Sequence, residues 1–313
     1  MTNNAAQNTL QKPRVAIIGK GALGLLYADA IAASCGTDVV AFVMDEARLA
    51  RHAGESYSVN GKPVDFRNAT PRDLGPVDLV MIAVKSGGLQ GALDLVESLL
   101  GERTVIVSVL NGITSESKVA ARYGWDRVVP CVAQGMDAVH KGSSLVYTQP
   151  GQLHIGRFEQ TPQEAFDRVR GLFEVTGIPF VVEDDIRYRM WAKLLTNVGI
   201  NQTCAVYDQP YGEVLDREGE SFRTFVAAMR EVIAVGNAEG VPLTEKDLNF
   251  AIALENSLDP KATPSMGQDR QAHRKSEVDE FSGEIMRRAA RHGIQVPTNA
   301  WLNRRMREIE ETY

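Results

Sequence analysis

The order of apolar and polar positions changes character a little past the middle of the chain. In the first part, short apolar and β-branched runs alternate with stretches of helical period; the runs are RVAIIG at 14–19, DVVAFV at 38–43, DLVMIAV at 78–84, TVIVSVL at 104–110 and RVVPCVA at 127–133. Such runs are typical of strands buried on both faces. Because helix-compatible segments separate them, at 22–34, 89–100 and 115–123, the pattern predicts a parallel sheet with right-handed crossovers.

Between residues 144 and 155 the rhythm shortens to two runs around Pro150-Gly151, which predicts a hairpin at the sheet edge. A helix at 163–175 and a strand at 179–182 complete this part. After Asp185 only helical periods remain, at 188–206, 217–239, 245–255, 276–292 and from Thr298 onward. We therefore expect a disordered polar tail at 1–13, an α/β domain at 14–185 and an all-α domain at 186–313.

Composition and charge exclude several classes of protein. The 313 residues are 44% hydrophobic and 24% charged, which are globular values, and the formal net charge is −6. This acidic balance argues against nucleic-acid or anionic-membrane partners, whose binding depends on basic surface. No apolar run approaches the ~18 residues of a membrane span, and the polar N-terminus lacks the apolar core of a signal peptide. Three widely spaced cysteines and five histidines without metal-ligand spacing predict a reduced, cytoplasmic protein with no metal.

A glycine-rich turn follows the first predicted strand. Its six residues form GxGxxG where the strand ends and a helix opens: Gly19, Lys20, Gly21, Ala22, Leu23 and Gly24. The first glycine permits a tight turn, the second lets a pyrophosphate approach the backbone, and the third lets helix and strand pack closely. The phosphates would bind the free N–H groups at the helix start. This context predicts a Rossmann-type dinucleotide-binding domain.

The choice of dinucleotide depends on the end of the second strand. Asp45 stands 21 residues after Gly24, where a carboxylate binds the ribose hydroxyls of NAD and repels a 2′-phosphate. Arg48 and Lys85 are cations that would favour the 2′-phosphate instead. Asp45 is also suited to capping the helix that follows, so its residue type leaves the choice between NAD and NADP open.

The segment from Tyr188 to Asn201 is apolar or small on nearly every side, which is typical of a buried helix. Its exceptions, Lys193, Asn197 and Asn201, follow an i, i+4, i+8 spacing and therefore share one face. A desolvated lysine becomes a competent proton donor near neutral pH. The spacing predicts a cleft that receives a polar ligand; the alternative is a lysine that extends to solvent beside two surface amides.

Taken in order, these motifs resemble the ketopantoate reductase (2-dehydropantoate 2-reductase) family. The markers are GKGALG at 19–24, VK at 84–85, LNG at 110–112, WAKLLTNVGIN at 191–201, SMGQD at 265–269 and SEVD at 276–279. The resemblance covers nearly the whole chain after the tail. It implies reduction of ketopantoate to pantoate with NADPH, a step of pantothenate and coenzyme A biosynthesis.

The resemblance also implies roles for individual residues. Lys193 matches the general acid that protonates the ketone oxygen, and Glu277 matches an acidic partner in the cofactor and substrate region. Asn111 matches an asparagine near the nicotinamide and the substrate. The remaining matches bind the substrate through Asn197, Asn201 and Ser265, and the cofactor through Lys85 and the backbone of Ala138.

Three positions depart from the family pattern. Met44 replaces an arginine that takes the 2′-phosphate, so NAD remains an alternative to NADP. Gly88 replaces a glutamine, and Ala262 replaces an asparagine on the substrate side. The last departure leaves open a paralogous reductase that acts on another branched 2-keto acid.

Ser265 and Glu277 would lie about 18 Å apart on one straight helix, too far to serve one small substrate. We therefore expect the helix to break near residues 273–275 and to restart at Ser276, with Asp279 as the second member of a weak capping box. Glu277 would then lie in a first turn, where its charge favours the helix dipole. The alternative for Glu277 is a surface carboxylate that serves only the helix end.

A function of another class also fits the glycine motif, namely a dinucleotide-binding sensor without turnover. The buried lysine argues against a sensor, which has no need of a proton donor. The expected partner is a small 2-keto acid, and the helical second domain leaves a homodimer open.

Overall fold

The computed structural model describes residues 12–313 of the chain. The fold divides into two compact units: one extends to Leu110 and resumes over Glu116–Val182, and the other comprises Asn111–Ser115 and Glu183–Tyr313. Most of the tail predicted at 1–13 lies outside the described residues. Of its last two residues, Lys12 pairs with Asp38 and Pro13 is buried.

The first unit contains all the strands of the described chain: β1 Val15–Ile18, β2 Val40–Val43, β3 Tyr57–Val59, β4 Lys62–Val64, β5 Arg67–Ala69, β6 Val77–Ile82, β7 Leu100–Ser108, β8 Cys131–Met136, β9 Val139–Lys141, β10 Ser144–Val146, β11 Pro150–Ile155 and β12 Phe180–Val182. Its helices are α1 Ala22–Cys35, α2 Glu46–Arg51, α3 Pro71–Leu74, α4 Leu89–Val96, α5 Ser115–Tyr123, whose first residue belongs to the other unit, and α6 Gln163–Thr176.

A five-stranded parallel sheet in the order β5-β2-β1-β6-β7 forms the centre of this unit. Alternate residues of β1 enter different cores: Val15 and Ile17 pack in one buried cluster, and Ala16 and Ile18 in another. A strand covered on both faces therefore needs an unbroken apolar sequence, which is the pattern the chain shows. The α/β Rossmann-type prediction is confirmed.

The hairpin predicted at 144–155 is wrong. β10 pairs with β9 and β3 in a four-stranded sheet, whereas β11 pairs with β8 and β12 in a three-stranded one. Asp137 fixes the segment between them, because its carboxylate accepts hydrogen bonds from the backbone N–H groups of Thr148 and Gln149, each at 2.8 Å. Pro150 and Gly151 resemble a turn in sequence, but they begin β11.

The second unit is helical, as predicted for the C-terminal part. Its helices are α7 Ile186–Thr196, α8 Gln202–Tyr207, α9 Tyr211–Val214, α10 Glu220–Ala238, α11 Glu245–Glu255, α12 Ser265–Gln271, α13 Glu284–His292 and α14 Pro297–Glu310, with π-helical turns at Asn197–Asn201 and Asp279–Gly283. α10 lies at the centre and contacts α7, α8, α9, α11, α13 and α14. No helix of the described residues is long and apolar enough to cross a membrane.

The chain breaks between α12 and the second π turn, as expected. The expected restart at Ser276 is wrong, because the π turn begins at Asp279, so Glu277 precedes it and does not lie in a first helical turn. His273 has a φ of +48°, which ends the α12 segment. Ser276 does bond into the following turn through Val278 N–H at 3.3 Å, but the expected capping box is wrong. The backbone N–H of Ser276 donates to Glu310 at 2.7 Å, and Asp279 instead pairs with Arg307. Glu310, which is distant in the sequence, thus accepts the backbone hydrogen bond that the capping box assigned to Asp279.

Candidate active site

The glycine loop joins β1 to α1 and has the packing expected of GxGxxG. Gly19 has a φ of +117°, and a Cβ there would stand 2.4 Å from the carbonyl oxygen of Ala83. At Gly24 a Cβ would stand 2.0 Å from the carbonyl oxygen of Gly19, so only glycine allows this approach of strand and helix. Around Gly21 there is open space, because no atom lies within 4 Å of the Cβ position.

Gly21 is also the N-cap of α1, and no side chain caps the helix start. The first turn carries no acidic residue. Free N–H groups, a favourable dipole and open space beside the backbone are the features that accept a pyrophosphate. The loop therefore fits a dinucleotide, and Ala22 and Leu23 anchor it by packing on the same buried cluster as Ala138.

The side chain of Lys20 has its charge already paired. Its Nζ donates to Glu55 Oε2 at 2.8 Å and lies 4.3 Å from the ring centroid of Tyr57. Burial acts to raise the pKa of Glu55, but the hydrogen bonds from Lys20 and His52 outweigh it and lower that pKa. Lys20 therefore offers a phosphate its backbone rather than its ammonium group.

Asp45, Lys85 and the glycine loop all follow the carboxyl ends of adjacent parallel strands, β2, β6 and β1. Such an edge is where open α/β sheets bind ligands. Asp45 does cap α2, since its Oδ1 accepts from Arg48 N–H at 2.7 Å. Met44, at the position of the family arginine, is only 4% exposed, so its side chain belongs to the core.

In the second unit, Lys193, Asn111 and Glu277 form one hydrogen-bonded chain. Lys193 Nζ donates to Asn111 Oδ1 at 2.9 Å, and Asn111 Nδ2 donates to Glu277 Oε2 at 2.8 Å. Glu277 is buried and Lys193 is half-buried. The network fixes the orientation of the Asn111 side chain, because its amide oxygen accepts from a cation and its amide nitrogen donates to an anion. The Asn111 amide thus connects an ammonium group to a buried carboxylate that is distant in sequence.

The loop at Asn111 needs the glycine that follows it. Gly112 has a φ of +93°, and a Cβ there would stand 3.3 Å from the Cβ of Glu280. Thr114 Oγ1 donates to Glu280 Oε2 at 2.5 Å, which fastens the same loop to the second π turn. Thr114 and Glu280 were not predicted from the sequence, because neither position stands out from its neighbours in polarity or spacing.

Asn197, Asn201 and Ser265 form a second polar group. Asn201 Nδ2 donates to Asn197 Oδ1 at 3.1 Å, and Ser265 Oγ donates to Asn201 Oδ1 at 3.0 Å. Asn197 Nδ2 is buried and has no hydrogen-bond partner among the described residues. A buried donor without an acceptor costs about 1–3 kcal/mol, which a carboxylate or hydroxyl of a bound ligand would recover.

The π turn at Asn197–Asn201 brings Asn201 closer to the side of the helix on which Lys193 lies. Over eight residues an α-helix advances about 80° beyond two full turns, so Asn201 would drift away from the side of Lys193. A π turn rotates less per residue and reduces this drift. Lys193, Asn197 and Asn201 are therefore aligned more closely along one side than they would be in a continuous α-helix.

Two family models match the chain. The first, ketopantoate reductase PanE/ApbA, matches residues 15–160, and the second, its C-terminal model, matches residues 185–310. The chain belongs to the ketopantoate reductase family. The glycine loop, the Lys193 chain and the Asn197 group all lie within these two matches.

Individual members of the family are similar to this chain over nearly its whole length. A 2-dehydropantoate 2-reductase of Caulobacter vibrioides is 29% identical over 290 residues, 91% of this chain and 95% of the relative. The crystal structure of a 2-dehydropantoate 2-reductase from Geobacter metallireducens is 25% identical, with a TM-score of 0.82 and coverage of 94% and 99%. D-mandelate dehydrogenase bound to NADH and anilino(oxo)acetate shares the fold at 21% identity, with a TM-score of 0.82 and coverage of 96% and 98%.

Proposed function

We propose that this family member reduces a 2-keto acid, ketopantoate, to the 2-hydroxy acid with a nicotinamide dinucleotide as reductant. The observation that carries the proposal is the hydrogen-bonded chain Lys193–Asn111–Glu277. Its support includes the glycine loop, which fits a pyrophosphate, and the reductase relatives, which favour an enzyme over a sensor. A sensor would have no use for a cation held beside a buried carboxylate.

When bound at the glycine loop, a nicotinamide dinucleotide would supply a hydride for the carbonyl carbon. Lys193 donates the proton to the ketone oxygen, and its positive charge stabilises the negative charge that develops there. Asn111 holds the ammonium group through its Oδ1, and Glu277 holds Asn111. Lys193 returns to its starting state by taking a proton from water.

The second polar group is suited to the fixed end of the substrate. Asn197 Nδ2, a buried donor, can donate to a carboxylate or hydroxyl of the keto acid. The exposed Ser265 Oγ, whose hydrogen bonds to Asn201, can accept from a hydroxyl of the keto acid. A second candidate substrate, another branched 2-keto acid, is favoured by Ala262. Its side chain cannot donate, and its backbone oxygen already accepts from Tyr211 N–H at 3.1 Å.

The dinucleotide preference follows from the edge of the parallel sheet. We propose that NADH is preferred to NADPH, because Asp45 and Glu46 are exposed there while Met44 is buried. Two carboxylates oppose a 2′-phosphate electrostatically. The exposed Arg48 works in the opposite direction, and NADPH, which the family resemblance implies, remains the alternative.

The experiment follows absorbance of NADH and of NADPH with ketopantoate and a panel of branched 2-keto acids. Lys193→Ala should reduce kcat by about 10²–10⁴-fold, the usual contribution of a general acid, while dinucleotide binding is retained. Lys246→Ala, at an exposed position of α11, is the matched control and should leave kcat unchanged. Wild-type turnover by Lys193→Ala would contradict the mechanism, and activity on other keto acids with none on ketopantoate would favour the second substrate.

The homodimer also stays a proposal. Its support is the exposed apolar surface of α11, where Phe250 is 66% exposed and Leu254, one turn later, is 37% exposed. Patches of this kind are typical of protein interfaces. Light scattering on the wild type and on Phe250→Glu tests it: the wild type should have the mass of a dimer and the variant that of a monomer.

A further inference from the structure

A cavity of about 160 Å³ lies in the second unit, between α9, the end of α11 and the loop that follows it. Its walls include Tyr211, Leu215, Asp216, Glu255, Leu258 and Pro260. None of the lining residues belongs to the Lys193 chain or to the Asn197 group. The cavity is therefore a separate feature of the unit.

Glu255 is the unusual member of this wall. It is only 6% exposed, and its Oε2 has no hydrogen-bond partner among residues 12–313, which the structure describes. Three other buried carboxylates of the unit pair with cations: Glu284 with Arg288 at 2.7 Å, Asp269 with Arg274 at 3.0 Å and Glu310 with Lys275 at 3.7 Å. Two more, Glu277 and Glu280, accept side-chain hydrogen bonds from Asn111 and Thr114. Burial of a carboxylate without such a partner is costly. Glu255 therefore has the surroundings of a carboxylate whose cation comes from outside the chain.

The remaining walls define what kind of cation fits. Asp216 adds a second carboxylate, and within the described part of the chain no lysine, arginine or histidine lines the cavity. The side chains of Leu215, Leu258 and Pro260 give it apolar walls. No group of three or more His, Cys, Asp or Glu side chains that could hold a metal ion occurs among the described residues. An organic cation with a short apolar body matches these walls better than a metal ion does.

We propose that this cavity binds a small primary alkylammonium ion, with the ammonium group on Glu255 and the alkyl group against Leu215, Leu258 and Pro260. The site is independent of the proposed reductase activity. The carboxylate of Asp216 adds attraction at the exposed side of the cavity, since Asp216 is exposed to solvent. The chemistry is that of a charge-assisted hydrogen bond in a partly desolvated site.

Burial raises the pKa of Glu255 to about 7. The other groups that face it are Asp216, the hydroxyl of Tyr211 and the thiol of Cys204. Burial, and then the charge of Glu255, raise the pKa of Tyr211 and of Cys204, so both remain protonated near neutral pH. Glu255 is then the titrating group, and binding should be about tenfold weaker at pH 6 than at pH 8, while an alkylammonium keeps its proton throughout.

The test titrates the full chain with ethylammonium chloride at constant ionic strength and follows protein amide resonances by NMR. The expected result is saturable binding in the millimolar range, with no saturable change for ethanol, the neutral analogue. Glu255→Gln keeps the side-chain volume and should weaken binding by at least about tenfold, the loss of one charge-assisted bond. Glu213→Gln removes an exposed charge from α9 without altering the cavity wall and should bind as the wild type does.

Absence of saturable binding to the wild type, or equal binding by Glu255→Gln and Glu213→Gln, would overturn the proposal. If Glu255→Gln fails to fold, Asp216→Asn at the exposed side replaces it, and a several-fold loss of affinity is expected. Unchanged affinity in Asp216→Asn together with equal binding at pH 6 and pH 8 would also overturn it. Because the readout is binding of ethylammonium alone, the result does not depend on whether ketopantoate is reduced.

Discussion

Gly199 lies inside the π turn, between the two asparagines of the second polar group. A Cβ at this position would stand 2.7 Å from Met229 Cγ, 2.7 Å from Phe225 Cε2 and 2.8 Å from Phe225 Cδ2. Phe225 and Met229 are both fully buried on α10, so neither has space into which it can withdraw. Gly199→Ala therefore tests whether close packing of the π turn on α10 holds the asparagines in place.

The size of the effect follows from two opposing contributions. Overpacking a closed core costs about 1–3 kcal/mol, and three contacts below 3.0 Å suggest the upper part of that range. Alanine gains about 0.5–1 kcal/mol over glycine inside a helix. The free energy of unfolding should therefore fall by about 1–2 kcal/mol, which lowers Tm by roughly 1.5–3 °C for cooperative unfolding of all 313 residues.

Thermal unfolding followed by circular dichroism measures this change, with Gly171→Ala as the control. Gly171 lies in the middle of α6, where no atom lies within 4 Å of the Cβ position, so alanine there should raise stability by about 0.5–1 kcal/mol. The same Gly199→Ala protein should have a raised KM for the keto acid, because Asn197 and Asn201 shift. A Tm at or above that of the wild type for Gly199→Ala would refute the close packing on which the reasoning depends.

Three further predictions use the same structure. Asn111→Ala removes one hydrogen bond from an ammonium and one to a carboxylate, each worth about 1.5–3 kcal/mol, so kcat/KM for the keto acid should fall by at least about 10²-fold; a fall below tenfold in steady-state kinetics would contradict the role of Asn111. Asp45→Ser keeps an N-cap oxygen for α2 but removes the charge, so the ratio of kcat/KM for NADH to that for NADPH should decrease, and an unchanged ratio would argue against Asp45 as the determinant. Because the pKa of Glu255 in the folded chain, about 7, is above the ordinary glutamate pKa of 4.5, its stabilising contribution is present below pH 4.5 and is lost as the pH rises to 7. The free energy of unfolding in urea should therefore fall less between pH 5 and pH 8 in Glu255→Gln than in the wild type, and the difference should be up to about 3 kcal/mol. Identical pH profiles would count against an isolated carboxyl.

Much of the fold was predictable because its signals are local. Four consecutive apolar residues in β1 and again in β2 indicate strands between two layers, and GxGxxG marks the first strand-to-helix turn. The short strands β3, β4 and β5 were not predicted. Their three-residue lengths and exposed polar positions, such as Lys62 and Arg67, carry too little periodicity to distinguish them from loops.

The candidate site divides in the same way. The i, i+4, i+8 spacing placed Lys193, Asn197 and Asn201 on one face without reference to the rest of the chain. Local spacing does not predict that Glu280 accepts a hydrogen bond from Thr114, 166 positions away. It also does not predict that Ser276 bonds to Glu310. Such pairs form only when distant segments pack together.

By itself, the sequence determined the α/β and helical parts, the glycine-rich strand-to-helix turn and the shared face of Lys193, Asn197 and Asn201, because each depends on neighbours within one strand or one helix. Only the tertiary structure decided that Asn111 lies between Lys193 and Glu277, that the π turn redirects Asn201, and that Glu255 is buried without a partner. These features depend on which elements pack against one another. Contacts between residues far apart in the chain are set by the complete fold, and no local pattern records them.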